Sequence, residues 1–111
     1  MDSLETYRKI IEDILLKYTN IKYAFGDIKT EAIFDYQRDR YLVVDIGWNK
    51  DERIHDVIVH LEIINGKIWI QGDNTEEGVA LDLEKAGVPK DKIVLGFKSE
   101  FLRQFTDYAA A

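Results

Sequence analysis

The chain has no cysteine and a single proline, and none of its 111 residues falls in an apolar run approaching the about 18 residues that cross a bilayer as a helix. Without cysteine there is no disulfide, no thiolate nucleophile and no cysteine-held zinc, a pattern that suits a reducing compartment. Basic residues are also in short supply. Fifteen Lys and Arg stand against 21 Asp and Glu, and the resulting net charge of -6 repels phosphate backbones, which disfavours direct DNA binding. The opening "MDSLETYRK" is acidic and amphipathic and lacks the apolar core of a signal peptide, so the expectation is a cytoplasmic protein with no membrane contact.

What is present is ordinary globular material: 46% hydrophobic, 32% charged and 12% aromatic residues. At this length one domain over residues 1–111 is expected, able to bury roughly two-thirds of its unfolded surface. No internal repeat, linker or low-complexity segment interrupts it.

In "DSLETYRKIIEDILLKYTN" the residues Leu4, Tyr7, Ile10, Ile11, Ile14, Leu15 and Tyr18 recur at helical spacing, with Ser3 or Asp2 as cap and Glu5, Arg8, Lys9, Glu12 and Asp13 on the wet face. After a loop in "NIKYAFGD", the stretch "IKTEAIFDY" alternates as a strand, and "RYLVVDIGW" follows across the turn "QRDR". The second strand places Leu42, Val44, Ile46 and Trp48 on one face and Tyr41, Val43, Asp45 and Gly47 on the other. "RIHDVIVHLEII" is a long third strand, and Asn65-Gly66 turns it back into "KIWIQ".

Four strands on short turns predict an antiparallel meander, since parallel neighbours need long crossovers. "NTEEGVALDLEKAG" then changes period to a second helix, stopped by Gly87 and sealed by Pro89. "KIVLGF" is a fifth strand or an extended connection, and "SEFLRQFTDY" a final helical turn or two from Ser99. The expected fold is α+β, a sheet of four to five strands packed by the N-terminal and second helices.

Candidate chemistry is sparse. Asp73, Glu76 and Glu77 cluster where the fourth strand ends, and Asp73 with Glu76 or Asn74 with Glu77 matches a capping box better than a calcium loop. His55 and His60 are five residues apart, and that odd spacing sends them to opposite faces of a pleated strand unless a bulge intervenes. No nucleophile turn or glycine-rich phosphate loop is visible, so neither a catalytic residue nor a cofactor is expected. A metal-dependent nuclease half-site remains the enzymatic alternative, with Asp45, Glu62, Asp73 and Glu76 offering oxygens to magnesium.

The C-terminal segment carries a different signal. Phe97, Phe101 and Phe105 recur at i, i+4 and i+8 with Leu102 and Tyr108, and Lys98, Arg103 and Gln104 lie beside them. These residues serve either as core or as an aromatic and arginine-rich interface, and Trp48 and Trp69 carry the same ambiguity.

"YRKIIEDILLKY", "IFDYQRDRYLVVDIGW", "VHLEIINGKIWIQGDNTEEGVALDLEKAGVPKDKIVLGF" and "RQFTDYA", in that order, resemble the XisI family, the fdxN-element excision controlling factors of cyanobacteria, from about Leu4 to Ala109. The resemblance implies a role in, or descent from, the excision of a DNA element during heterocyst differentiation, where a separate site-specific recombinase cuts and rejoins the DNA. It also implies a protein partner of XisH type and brings no catalytic motif with it. The expected function is a non-enzymatic accessory factor whose partner contacts are Trp48, Trp69, Phe101, Arg103, Phe105 and Tyr108. Direct regulation by DNA binding is a further alternative, and an exposed sheet edge leaves self-association open.

Overall fold

The computed structural model of the chain describes residues 3–20 and 26–111. Helix α1 spans Ser3–Tyr18 and turns Ile11, Ile14 and Leu15 into the core, as its spacing predicts. Asp2 and most of the loop expected between Asn20 and Asp27 lie outside the described residues.

Strands β1 (Asp27–Asp35), β2 (Arg40–Asn49), β3 (Glu52–Ile64) and β4 (Lys67–Asp73) follow, then α2 (Val79–Lys85), a short turn of 3-10 helix at Lys90–Lys92, β5 (Ile93–Leu95) and α3 (Glu100–Arg103). The sheet order is β1-β2-β3-β4-β5. The first four strands pair antiparallel in sequence order, the meander that short polar turns dictate. Asn65 and Gly66 both take positive φ, 51° and 77°, as a tight hairpin turn between right-twisted strands requires. The fifth strand departs from the meander: it pairs parallel to β4, because the segment between them holds α2 and is long enough for a crossover. The sheet is therefore mixed.

One face of the sheet carries the core. Tyr41, Val43, Val59, Leu61, Ile63, Ile68, Ile70 and Ile93 meet Ile11, Ile14 and Leu15 of α1 and Val79 and Leu83 of α2. Each fully buried aliphatic side chain contributes about 1.5–3 kcal/mol relative to exposure. Of the two faces read on β2, the buried one is that of Tyr41, Val43 and Asp45, whereas Leu42, Val44 and Ile46 are half-buried and Trp48 is exposed.

Two irregularities shape the sheet. Between Val43 and Val44 the partners in β3 jump from Val59 to Val57, leaving Ile58 as the extra residue of a bulge. A second shift pairs His60 with Gly72 but Leu61 with Ile70, so Gln71 is extra in β4. Gly47 is obligatory for packing rather than for a turn: a Cβ there would lie 2.0 Å from the Asp27 carbonyl oxygen across the ladder.

Helix α1 is tied to the β1–β2 turn by Arg8, whose Nε and Nη2 donate to the two carboxylate oxygens of Asp39 at 2.8 and 3.1 Å. Tyr41 Oη donates to the same carboxylate at 2.9 Å. The Arg8 hydrogen bond is the main cause holding the Asp39 carboxyl below its ordinary range. No helix among the described residues is long and apolar enough to cross a membrane.

Candidate partner-binding surface

The bulge at Ile58 overturns one expectation outright. His55 stands opposite Ile46 and His60 opposite Leu42, and those two partners lie on the same face of β2. The extra residue has shifted the alternation, so both histidines share the face away from the helices. Four residues of strand separate their partners, about 13 Å, so the two rings still cannot meet on one ion.

On that open face Glu62 is the centre of a polar group. Its Oε2 is 2.9 Å from His60 Nε2 and 3.1 Å from Arg40 Nε, and its Oε1 accepts from Gln71 Nε2 at 3.3 Å. The Glu62 side chain is only 14% exposed, and those contacts compensate its desolvation. A carboxylate so committed is a structural tie between β2, β3 and β4.

The four acids considered for magnesium do not converge. Asp45 is buried on the helix-facing side and accepts from Thr30 Oγ1 at 2.5 Å, while Glu62 lies on the opposite face. Glu76 is exposed in the loop before α2. Asp73 does start the helix, but not through the spacing expected: its Oδ2 accepts from the N–H of Val79 at 2.7 Å, and its Oδ1 from Thr75 N and Thr75 Oγ1 at 2.9 and 2.6 Å. Gly78, at φ 88°, occupies the cap position, so α2 begins five residues later than its polar lead-in suggests. Among the described residues no group of three or more His, Asp or Glu is placed to hold a metal ion.

The aromatic candidates fall into three environments. Phe101 and Phe105 are 66% and 70% exposed and stack edge to face with centroids 5.3 Å apart. Exposed Phe97 and Leu102 lie beside them in sequence, and Lys98 Nζ sits 5.7 Å from the Phe97 ring centroid. The expected i, i+4, i+8 helix is not continuous, because α3 is only four residues long. Its start was legible: Ser99 Oγ accepts from Leu102 N.

Trp69 is half-buried beneath Arg103, whose guanidinium lies 5.2 Å from the ring centroid. Arg103 also donates to the carbonyls of Ala110 and Lys98, at 2.7 and 3.0 Å, so it pins the tail to the open face. Trp48 is 50% exposed at the far end of that face, with Arg53 5.2 Å from its ring centroid. Tyr108 differs from all of these. It packs against the core and donates to Glu84 of α2 at 2.8 Å, and burial, then that hydrogen bond, raises its hydroxyl to about 12. Ile33 and Val57, exposed on the open face, were not singled out from the sequence; Ile33 is the lone apolar residue on the outer side of "DIKTEAIFD".

The family model for the XisI protein matches residues 1–110. The chain belongs to the XisI family. Its XisI fold is similar to that of a crystal structure described as a XisI-like protein from Anabaena variabilis, with 32% identity and a TM-score of 0.90 over 99% of this chain and 100% of that one. A second Anabaena variabilis structure, described as the fdxN element excision controlling factor XisI, is 36% identical with a TM-score of 0.85 over the same shares. A comparison with curated proteins finds no match.

Proposed function

We propose that this protein is a non-enzymatic controlling factor for the programmed excision of a DNA element of the fdxN kind, acting in the cytoplasm through a protein partner of XisH type. The observation that carries the reading is its likeness, at 36% identity over 99% of the chain, to a protein described as an fdxN element excision controlling factor. The geometry is of the same character. Asp45, Glu62 and Asp73 are each engaged in internal hydrogen bonds, whereas Phe97, Phe101, Leu102 and Phe105 present apolar surface to solvent. Grouped exposed aromatic residues of this kind are the composition of a protein-binding site.

The XisH-type partner is expected to copurify with this protein as a stable mixed complex, with its mass determined in solution. Truncating Phe101 and Phe105 together to alanine is expected to weaken that complex by at least about tenfold while leaving the melting temperature of the free protein in place. Absence of a mixed complex, or a complex indifferent to the double substitution, defeats this assignment.

A further inference from the structure

We propose that the outer edge of β1 pairs with β1 of a second copy of this chain, in a two-fold antiparallel arrangement that sets Lys29 opposite Glu31 of the second copy.

The two edges of the sheet are treated differently. Beyond β5, the tail returns to close the sheet: Ala109 N donates to the Ile93 carbonyl at 2.8 Å, Val94 bridges to Ala109, and Val94 is fully buried. At the other edge β1 pairs with β2 along all nine of its residues, and among the described residues no strand lies on its outer side. An edge of this length is a template for another strand unless proline, a bulge or charged side chains, lysine above all, blunt it. β1 contains no proline, and its ladder with β2 has no register shift.

Its charges favour self-pairing in one register. Lys29 and Glu31 lie on the same face, 2.8 Å apart, with side chains 77% and 40% exposed. In a homotypic antiparallel pair the outward backbone groups alternate, so residues of like parity must face each other and the two-fold axis passes through a single residue position. An axis at Lys29 opposes lysine to lysine; one at Glu31 opposes glutamate to glutamate and Asp27 to Asp35. An axis at Thr30 opposes Lys29 to Glu31 twice, Ile28 to Ala32 twice, and threonine to threonine, favourable cross-strand pairs set against two oppositions of Asp27 to Ile33. An axis at Ala32 needs Asp35 for Lys29, but Asp35 already accepts from the N–H groups of Gln37 and Arg38 and from the Arg38 side chain. It also sets Glu31 against Ile33. The Thr30 register is the one that sets Lys29 and Glu31, already paired within each chain, into an alternating four-charge network across the axis, and it stands independently of the excision reading.

The test is the mass of the 111-residue protein in solution by sedimentation equilibrium, with amide exchange along β1. The wild type is expected to be a concentration-dependent dimer with slowed exchange in β1. Lys29→Glu and Glu31→Lys are each expected to weaken it by about tenfold or more, because each turns two opposite-charge pairs into like-charge pairs. Mixing the two single variants restores the pairs across the interface and recovers a mixed dimer, and so does carrying both changes in one chain. A wild type that is monomeric at every concentration overturns the proposal, as does a dimer indifferent to both substitutions or β1 protection that appears only with a different protein. Loss of the dimer in Lys29→Glu but not in Glu31→Lys overturns the register in favour of the axis at Ala32.

Discussion

The two faces of the sheet use the same strands for opposite purposes. The helix-facing side of β3 offers Val59, Leu61 and Ile63, all buried, while the side away from the helices offers His55, Val57, His60 and Glu62. The first is held by nonpolar burial, which is additive over many side chains and tolerates no missing volume. The second is held by a few directed contacts, Glu62 with Arg40, His60 and Gln71 and Arg103 over Trp69, which leave apolar surface exposed between them. Stability therefore belongs to one face, while the other and the tail at its edge keep apolar side chains exposed to solvent.

The largest break in that comparison comes from Leu61→Ala, which empties a fully buried site and is expected to cost about 2–5 kcal/mol by chemical denaturation. The matching truncation Val57→Ala, at a position 45% exposed on the open face, is expected to cost no more than about 0.5 kcal/mol. Near-equal costs would dissolve the distinction between the faces.

Asp73→Ala is expected to cost about 1–2 kcal/mol, since the carboxylate accepts from Val79 N at the start of α2 and from Thr75. Glu76→Ala, in an exposed position nearby, serves as the control and should be nearly silent in the same denaturation series. Arg103→Ala is expected to cost about 0.5–1 kcal/mol and to brighten or shift Trp69 fluorescence as the tail loosens from the open face. An unchanged Trp69 spectrum would show that the tail is held without Arg103, by Tyr108, Ala109 and the contact of Lys67 with the Ala111 carbonyl.

The last effect is absent at neutral pH and appears only in alkali. Tyr18 donates to Asp82 and Tyr108 to Glu84, so two tyrosines grip α2, and burial followed by those hydrogen bonds raises both hydroxyls from 10.0 to about 12. A raised folded-state value favours the protonated form in the native protein, so the stabilisation is complete below pH 10 and is lost as pH rises toward 12. Melting temperature against pH should fall in that window, and less steeply in the Tyr18→Phe, Tyr108→Phe double variant. An identical slope in the variant would rule these two groups out as the cause.

Much of this was legible beforehand. The spacing in α1, the four strands with their turns and the Asn65-Gly66 hairpin all follow from local pattern, because side-chain period and turn chemistry are decided by neighbours in the chain. The cap at Ser99 was legible for the same reason. The reading of His55 and His60 failed on one residue: a bulge at Ile58 is set by how β2 and β3 fit together, and nothing in "RIHDVIVHLEII" marks it. The second helix came out shorter than its polar lead-in suggested, since Gly78 and the reach of Asp73 across the loop replaced the local capping box. Among the aromatic residues, Tyr108 and Phe105 look alike in sequence, yet one is drawn to Glu84 and the core and the other is left 70% exposed.

By itself the sequence determined the α+β class and the antiparallel run of four strands, both consequences of composition and short-range periodicity. Only the tertiary structure decided that β5 runs parallel, that Glu62 and Asp45 lie on opposite faces, and that the β5 edge is closed while β1 has no strand on its outer side among the described residues. Those outcomes depend on which strands meet and in what register, a choice made by burying one continuous face rather than by any residue's immediate neighbours.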